Sequence, residues 1–314
     1  MITALIITRA VHIAASMLLA GTFTFDLVTF GSTDRSVSND LNHVERRLIR
    51  LALWSLIMAL LSALFWFWLE VASMSELSLK NAPSAAAWGT VLCETQFGRV
   101  WQLRLSLIAA AFVLVASALV QVKARRTLIA VLWLVSIVLL VSLAWISHAA
   151  AATERPFGVS GDVLHLCAAG LWIGGLVPLT IFLTRVRGSL SLGDRVVRVV
   201  RRFSTLSLCC VTVLIISGIS NSWLLVGSVH ALFTTPYGWL LLVKLTLFAI
   251  LISFGARNQF LVKTKLRDFS QVSDVLPQLR RNVICEAGLG VAVLVIVACL
   301  GVTPPAISTM HTVR

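Results

Sequence analysis

The chain has 314 residues, of which 58% are hydrophobic and 12% charged, and its mean hydropathy is +0.94. Soluble domains average about 45–50% apolar and about 25% charged residues. With so few polar side chains to cover a globular surface, a soluble enzyme, a disordered chain and a collagen-like chain are excluded. The 26 Lys and Arg outnumber the 13 Asp and Glu, a formal charge of +13. Such an excess points either to nucleic acid or to the basic loops that orient a membrane protein.

A helix needs about 20 apolar residues to cross about 30 Å of hydrocarbon. Eight stretches qualify: about 5–30, 51–72, 100–122, 128–150, 163–184, 203–226, 238–255 and 283–302. None shows the polar–apolar alternation of a membrane barrel. The first span carries His12, Met17 and, near its end, Asp26. It does not read as a signal peptide, because it is long, lacks a basic start and has Asp26 where a small-residue cleavage site belongs. After the second span, residues 73–99 include Pro83 and an Ala/Ser-rich stretch, room for a short interfacial segment without a core of its own. The fourth span ends with His148 and a short connection leads to the fifth, which opens with His165. Gly170, Gly174 and Gly175 then form a small-residue surface suited to close helix packing, ahead of Pro178. Asn221 lies in the sixth span, Lys244 in the seventh with Asn258 just beyond it, and Glu286 in the eighth.

Charge placement decides between the two readings of the basic excess. Residues 31–50, 123–126, 185–202 and 257–281 hold 19 of the 26 Lys and Arg. Such asymmetry predicts that these four loops are cytoplasmic, with their arginines against anionic headgroups. Eight spans then put both termini outside, in the periplasm of a Gram-negative cell. The expected fold is all-α: one polytopic bundle over residues 1–314, with membrane lipid as its surroundings and nucleic acid excluded as a partner.

Ionisable residues inside a membrane are costly and mark partners, cavities or pathways. His12 lies about 10 Å below the outer end of the first span at 1.5 Å per residue. His148 is in the last turn of a span that exits outward, and His165 is near the start of the span that returns. All three are therefore expected in the outer third of the membrane. Each alone reads equally as an inter-helix hydrogen bond or an interfacial residue. Three at one depth favour a shared metal site, for which neutral imidazole is the commonest ligand and suits copper. Met17 is a further, soft candidate on the side of His12. Asp26 reads as an exit-side or interfacial carboxylate, and Lys244 as a snorkelling or fixed charge near the mouth. Glu286 is expected to pair with Arg280 or Arg281, and Asn221 and Asn258 to bond between helices. The six cysteines show no paired spacing. With no nucleophile elbow, Walker loop, HExxH or dinucleotide fingerprint, no catalytic residues are assigned and an enzyme is not expected.

The segment from Asp162 to Leu179, DVLHLCAAGLWIGGLVPL, resembles the fifth-span motif of the bacterial copper resistance protein D (CopD) family. Arg202-Phe-Ser, Ser217-Gly218, Asn221 and Val226-Gly-Ser are similar to its next span. Thr235-Pro-Tyr-Gly with Lys244 and Asn258, Arg280-Arg-Asn-Val with Glu286, and Gly301-Val-Thr-Pro-Pro continue the match, as does Arg9 with His12 at the start. The resemblance implies an inner-membrane protein of eight helices that transports copper in homeostasis or resistance. It further implies a separate periplasmic CopC-like copper-binding partner, and it maps the family's membrane histidines onto His12, His148 and His165. Cu(I) and Cu(II) stay open, as does the direction of movement. Two other readings use the same residues: a b-type cytochrome or haem-handling oxidoreductase with histidines as axial ligands, and a metal-free membrane scaffold for the chaperone.

Overall fold

The computed structural model describes residues 1–29, 39–75, 84–120, 124–147, 155–185, 193–264 and 272–311. His148 lies outside these residues. The long helices are α1 (Ile2–Thr29), α2 (Asn39–Met74), α4 (Gln96–Val120), α5 (Arg125–Val141), α6 (Arg155–Arg185), α7 (Gly193–Val226), α9 (Pro236–Thr264) and α10 (Val272–Leu300). Three short ones, α3 (Ala85–Glu94), α8 (Val229–Thr234) and α11 (Ala306–His311), all fall on the face that carries the chain termini. Ser84 and Ser228 cap α3 and α8, each accepting a hydrogen bond from the backbone N–H three residues on. Gly227, at φ 75°, ends α7 in the left-handed conformation that a side chain resists.

Eight helices among the described residues are long and apolar enough to cross a membrane, as expected from the sequence. Their ends differ from the expected spans on the basic face. There α2 begins at Asn39 rather than near 51, α7 at Gly193 rather than 203, and α10 at Val272 rather than 283, while α9 runs on to Thr264. Hydropathy marks only the hydrocarbon-embedded part, but helical periodicity continues past it. Leu41, Val44 and Leu48, then Val196, Val197 and Val200, then Leu276, Leu279 and Val283, are buried. Arg46, Arg47, Arg198 and Arg201 point outward between them. The fourth span differs at its other end: the α-helix stops at Val141 and a 3₁₀ turn, Ser142–Ile146, follows.

The bundle is inverted relative to a soluble protein. Large apolar side chains such as Val113, Ile216, Trp223, Trp239 and Phe260 face outward. His12, Ser16, Asp26, Ser62, Arg104, Ser142, Ser217, Asn282 and Glu286 are buried inside. A lipid environment rewards this arrangement, since polar groups find partners only within the bundle.

α1 is central, packing on α2, α5, α6, α7 and α10. Its contact with α6 is backbone to backbone. A Cβ on Gly174 would strike the Met17 carbonyl oxygen, and one on Gly21 would strike the Gly174 backbone. α1 and α6 run in the same direction, so this register places His12 and His165 at one depth. α2, α4 and α5 flank this pair on one side, and α7, α9 and α10 on the other.

Candidate functional site

His12 and His165 share an orienting device. Ser62 Oγ donates to the Met58 carbonyl, one turn back on its own helix, and is left as an acceptor for His12 Nδ1–H at 2.9 Å. Ser217 Oγ likewise donates to the Val213 carbonyl and accepts from His165 Nδ1–H at 3.0 Å. Each serine therefore sets one tautomer, with the lone pair on Nε2. What meets that lone pair differs between the two.

At His12 it is Arg104. The guanidinium's Nε and one terminal nitrogen both donate to His12 Nε2, the former at 3.2 Å. Its other N–H groups reach Ser16 Oγ at 3.3 Å, the Leu139 carbonyl and Ser142 Oγ. All five donors are used, every acceptor is neutral, and both side chains are 0% exposed. The 3₁₀ turn after α5 brings Ser142 round to meet the guanidinium. Trp101 stacks on the His12 ring at 5.6 Å and Trp66 meets it edge-on at the same distance. Arg104 also lies 5.7 Å from the Trp101 ring centre. Nearer the terminal face, Arg9 sits 4.8 Å over Trp66, within electrostatic range of Glu70.

At His165 no described residue donates to Nε2. The surroundings are polar: Asn221 Nδ2 donates to Asp162 Oδ1 at 2.6 Å, and Lys244 lies within electrostatic range of both Asp162 and His165. This second centre joins α6, α7 and α9 on the other side of the α1–α6 contact from His12.

The two histidines thus share a depth, as expected, but face opposite flanks: His12 toward α2 and α4, His165 toward α7. Met17 is buried with its backbone against Gly170 and Gly174. Five residues at 100° each turn it about 140° from His12, so it follows the α6 side. Among the described residues no three His, Cys, Asp or Glu side chains converge to hold a metal ion. Asn221 and Asn258 both bond between helices, the latter through Nδ2 to Glu286 Oε1 and through Oδ1 to Asn282. Glu286 is therefore held by an amide on α9, because its side chain turns into the bundle and away from the exposed Arg281. Asp26 is buried near the basic end of α1. Lys244 is half-buried on α9, within electrostatic range of Asp162 on α6.

Sequence reasoning passed over Arg104, Ser62, Ser217 and Asp162 as site residues. For Arg104 a signal was present, since an arginine four residues into the apolar span at 100–122 needs a partner. The serines gave none: only folding shows which serine of many faces an imidazole.

The family description Copper resistance protein D matches residues 197–300, and Copper resistance protein D-like, N-terminal domain, matches residues 1–155. The chain is 30% identical to copper transport protein CutJ of Bacillus subtilis over 69% of its own length and 40% of the relative's. Copper resistance protein D of Pseudomonas syringae pv. tomato is 28% identical, over 68% of this chain and 71% of its own. Inner membrane protein YebZ of Escherichia coli is 27% identical, over 69% and 72%. The chain thus spans well under half of CutJ and about seven-tenths of the other two. No solved structure matches it. With eight spanning helices and both halves matched, the chain belongs to the copper resistance protein D family, as a multi-pass inner-membrane protein.

Proposed function

We propose that this protein carries copper across the inner membrane, with its basic face in the cytoplasm and its termini and short helices in the periplasm. The excess of Lys and Arg in residues 31–50, 123–126, 185–202 and 257–281, at the helix ends and connections of that face, supports that orientation. Copper, the cargo, arrives at the periplasmic end from a separate CopC-like protein.

The observation that carries this reading is His165: a half-buried imidazole whose tautomer Ser217 sets and whose Nε2 no described residue occupies. Nε2 is the first ligand. His148, on the connection leading into α6, and Met17, on the side of α1 that follows α6, complete the receiving set. His12, at the same depth on the other flank of the α1–α6 contact, is the second member and takes copper only when Arg104 releases its Nε2. In that step the guanidinium is a tethered cation holding the place the metal takes. Lys244 beside His165 keeps the receiving site from retaining its cargo, since conduction requires a site that also lets go. The haem reading has no such support, because one of its two axial nitrogens would be the one Arg104 covers.

The test is copper stoichiometry of the purified full chain together with cellular copper. His165→Ala should lose most bound copper and the protein-dependent change in cellular copper, and His12→Ala should keep binding but lose that change. Unchanged binding and unchanged cellular copper in His165→Ala would refute the site. A Soret band in the purified protein would favour the haem reading instead.

A further inference from the structure

Between α6, α7, α9 and α10, in the half of the bundle nearer the basic face, lies a cavity of about 270 Å³. Its walls are apolar, with Trp172, Phe203, Leu208 and Ile252 prominent, and it holds a single ionisable side chain, Glu286. Glu286 is 2% exposed. One oxygen accepts from Asn258 Nδ2, and Asn258 Oδ1 is in turn taken by Asn282 Nδ2 at 2.8 Å. Asn258 is thereby locked as a donor to the carboxyl. No described residue donates to the second oxygen, Oε2.

The neighbours that face Glu286 do not titrate. They are Asn258 and Gln259 from α9, Ser204 and Ser207 from α7, and Trp172 from α6. Charged groups with described side chains on the packed elements in this half are Asp26 on α1, Arg185 on α6, Asp194, Arg195, Arg198, Arg201 and Arg202 on α7, Arg257 on α9, and Arg280 and Arg281 on α10. None lines the cavity. A carboxyl in such surroundings carries a proton or sits beside a cation, and here no described cation takes that place. A purely packing role would be met as well by glutamine or leucine.

From this geometry we infer that Glu286 is a proton-binding site, taking one proton on Oε2 and returning it toward the basic face as copper passes, so that the proton is the coupling ion. The inference rests on the copper-transport reading. The sequence shows no ATP-hydrolysing machinery, so moving a metal cation against its gradient requires a second ion. The step is a plain protonation, carboxylate plus H⁺ to carboxylic acid, with no electron transferred.

Two measurements on the full chain test it. In the first, purified protein in detergent is treated with dicyclohexylcarbodiimide, which adds to protonated carboxyls in apolar surroundings, and digested for mass spectrometry. An N-acylurea adduct on Glu286 is expected, absent in Glu286→Gln. No adduct there, while other carboxyls of the chain react, would overturn the proposal. In the second, proteoliposomes loaded with a pH-sensitive dye receive reduced copper. The wild type and Glu286→Asp should change internal pH as copper enters, and Glu286→Gln should admit copper with at least a tenfold smaller pH change. A full pH change in Glu286→Gln overturns the proposal. If the wild type admits no copper at all, the transport reading fails. The adduct then decides whether a proton site stands without it.

Discussion

Replacing Arg104 with lysine tests the idea that one guanidinium ties the first half of the bundle together. Arg104 serves four acceptors, His12 Nε2, Ser16 Oγ, the Leu139 carbonyl and Ser142 Oγ, drawn from α1, α5 and the 3₁₀ turn behind it. An ammonium has three donors on one nitrogen, where the guanidinium has five on a planar fork. At least one acceptor must go without, and each orphaned buried acceptor costs about 1–3 kcal/mol. The tetrahedral ammonium also has to bridge His12 on one side and Ser142 on the other. Losing a second acceptor for that reason brings the total to about 2–6 kcal/mol. The assay is unfolding in mixed micelles titrated with a denaturing detergent, followed by tryptophan fluorescence, to which Trp66 and Trp101 beside His12 contribute. His12→Ala and the double variant complete a cycle, whose coupling should exceed about 1 kcal/mol because the two side chains share hydrogen bonds. Stability of Arg104→Lys within about 0.5 kcal/mol of wild type, the range of an ordinary surface substitution, would refute the reasoning.

Arg104→Met should bare His12 Nε2 and remove the fixed positive charge, raising bound copper by one equivalent in equilibrium dialysis; adding His12→Ala should abolish the gain. Ser217→Ala removes the acceptor that sets the His165 tautomer and should weaken copper binding about 10–100-fold, the usual effect of losing a ligand's orienting partner, while the circular dichroism spectrum stays helical. Gly174→Val drives a side chain into the Met17 carbonyl and should cost about 1–3 kcal/mol or more, as overpacking does. By contrast Gly288→Ala, where nothing lies within 4 Å of the new Cβ, should be neutral or stabilising in the same unfolding assay. For orientation, Cys93 is exposed on α3 at the terminal face. In a chain with the other cysteines replaced, it should react with a membrane-impermeant maleimide in right-side-out but not inverted vesicles, and the reverse pattern would overturn the proposed topology.

What the amino-acid sequence settled alone were the features that need no partner. Apolar runs long enough for hydrocarbon made eight spanning helices recognisable one at a time, because a helix satisfies its own backbone. The Lys and Arg asymmetry could be read from loops without any packing. Equal depth of His12 and His165 followed from rise per residue, since depth is a property of each helix separately. Azimuth and neighbourhood were another matter. That His12 faces a guanidinium while His165 faces a serine and an open lone pair depends on how α1, α2, α4, α6 and α7 are arranged around one another. Apolar sequence does not encode that arrangement visibly, because in lipid the outward and inward faces of a helix are both apolar. The nearby Arg280 and Arg281 suggested a partner for Glu286, whereas packing delivered Asn258 from another helix. Three histidines at one level could be seen in the sequence as candidates for a metal; that Arg104 covers the Nε2 of His12, while no described residue donates to that of His165, was decided only when the helices came together.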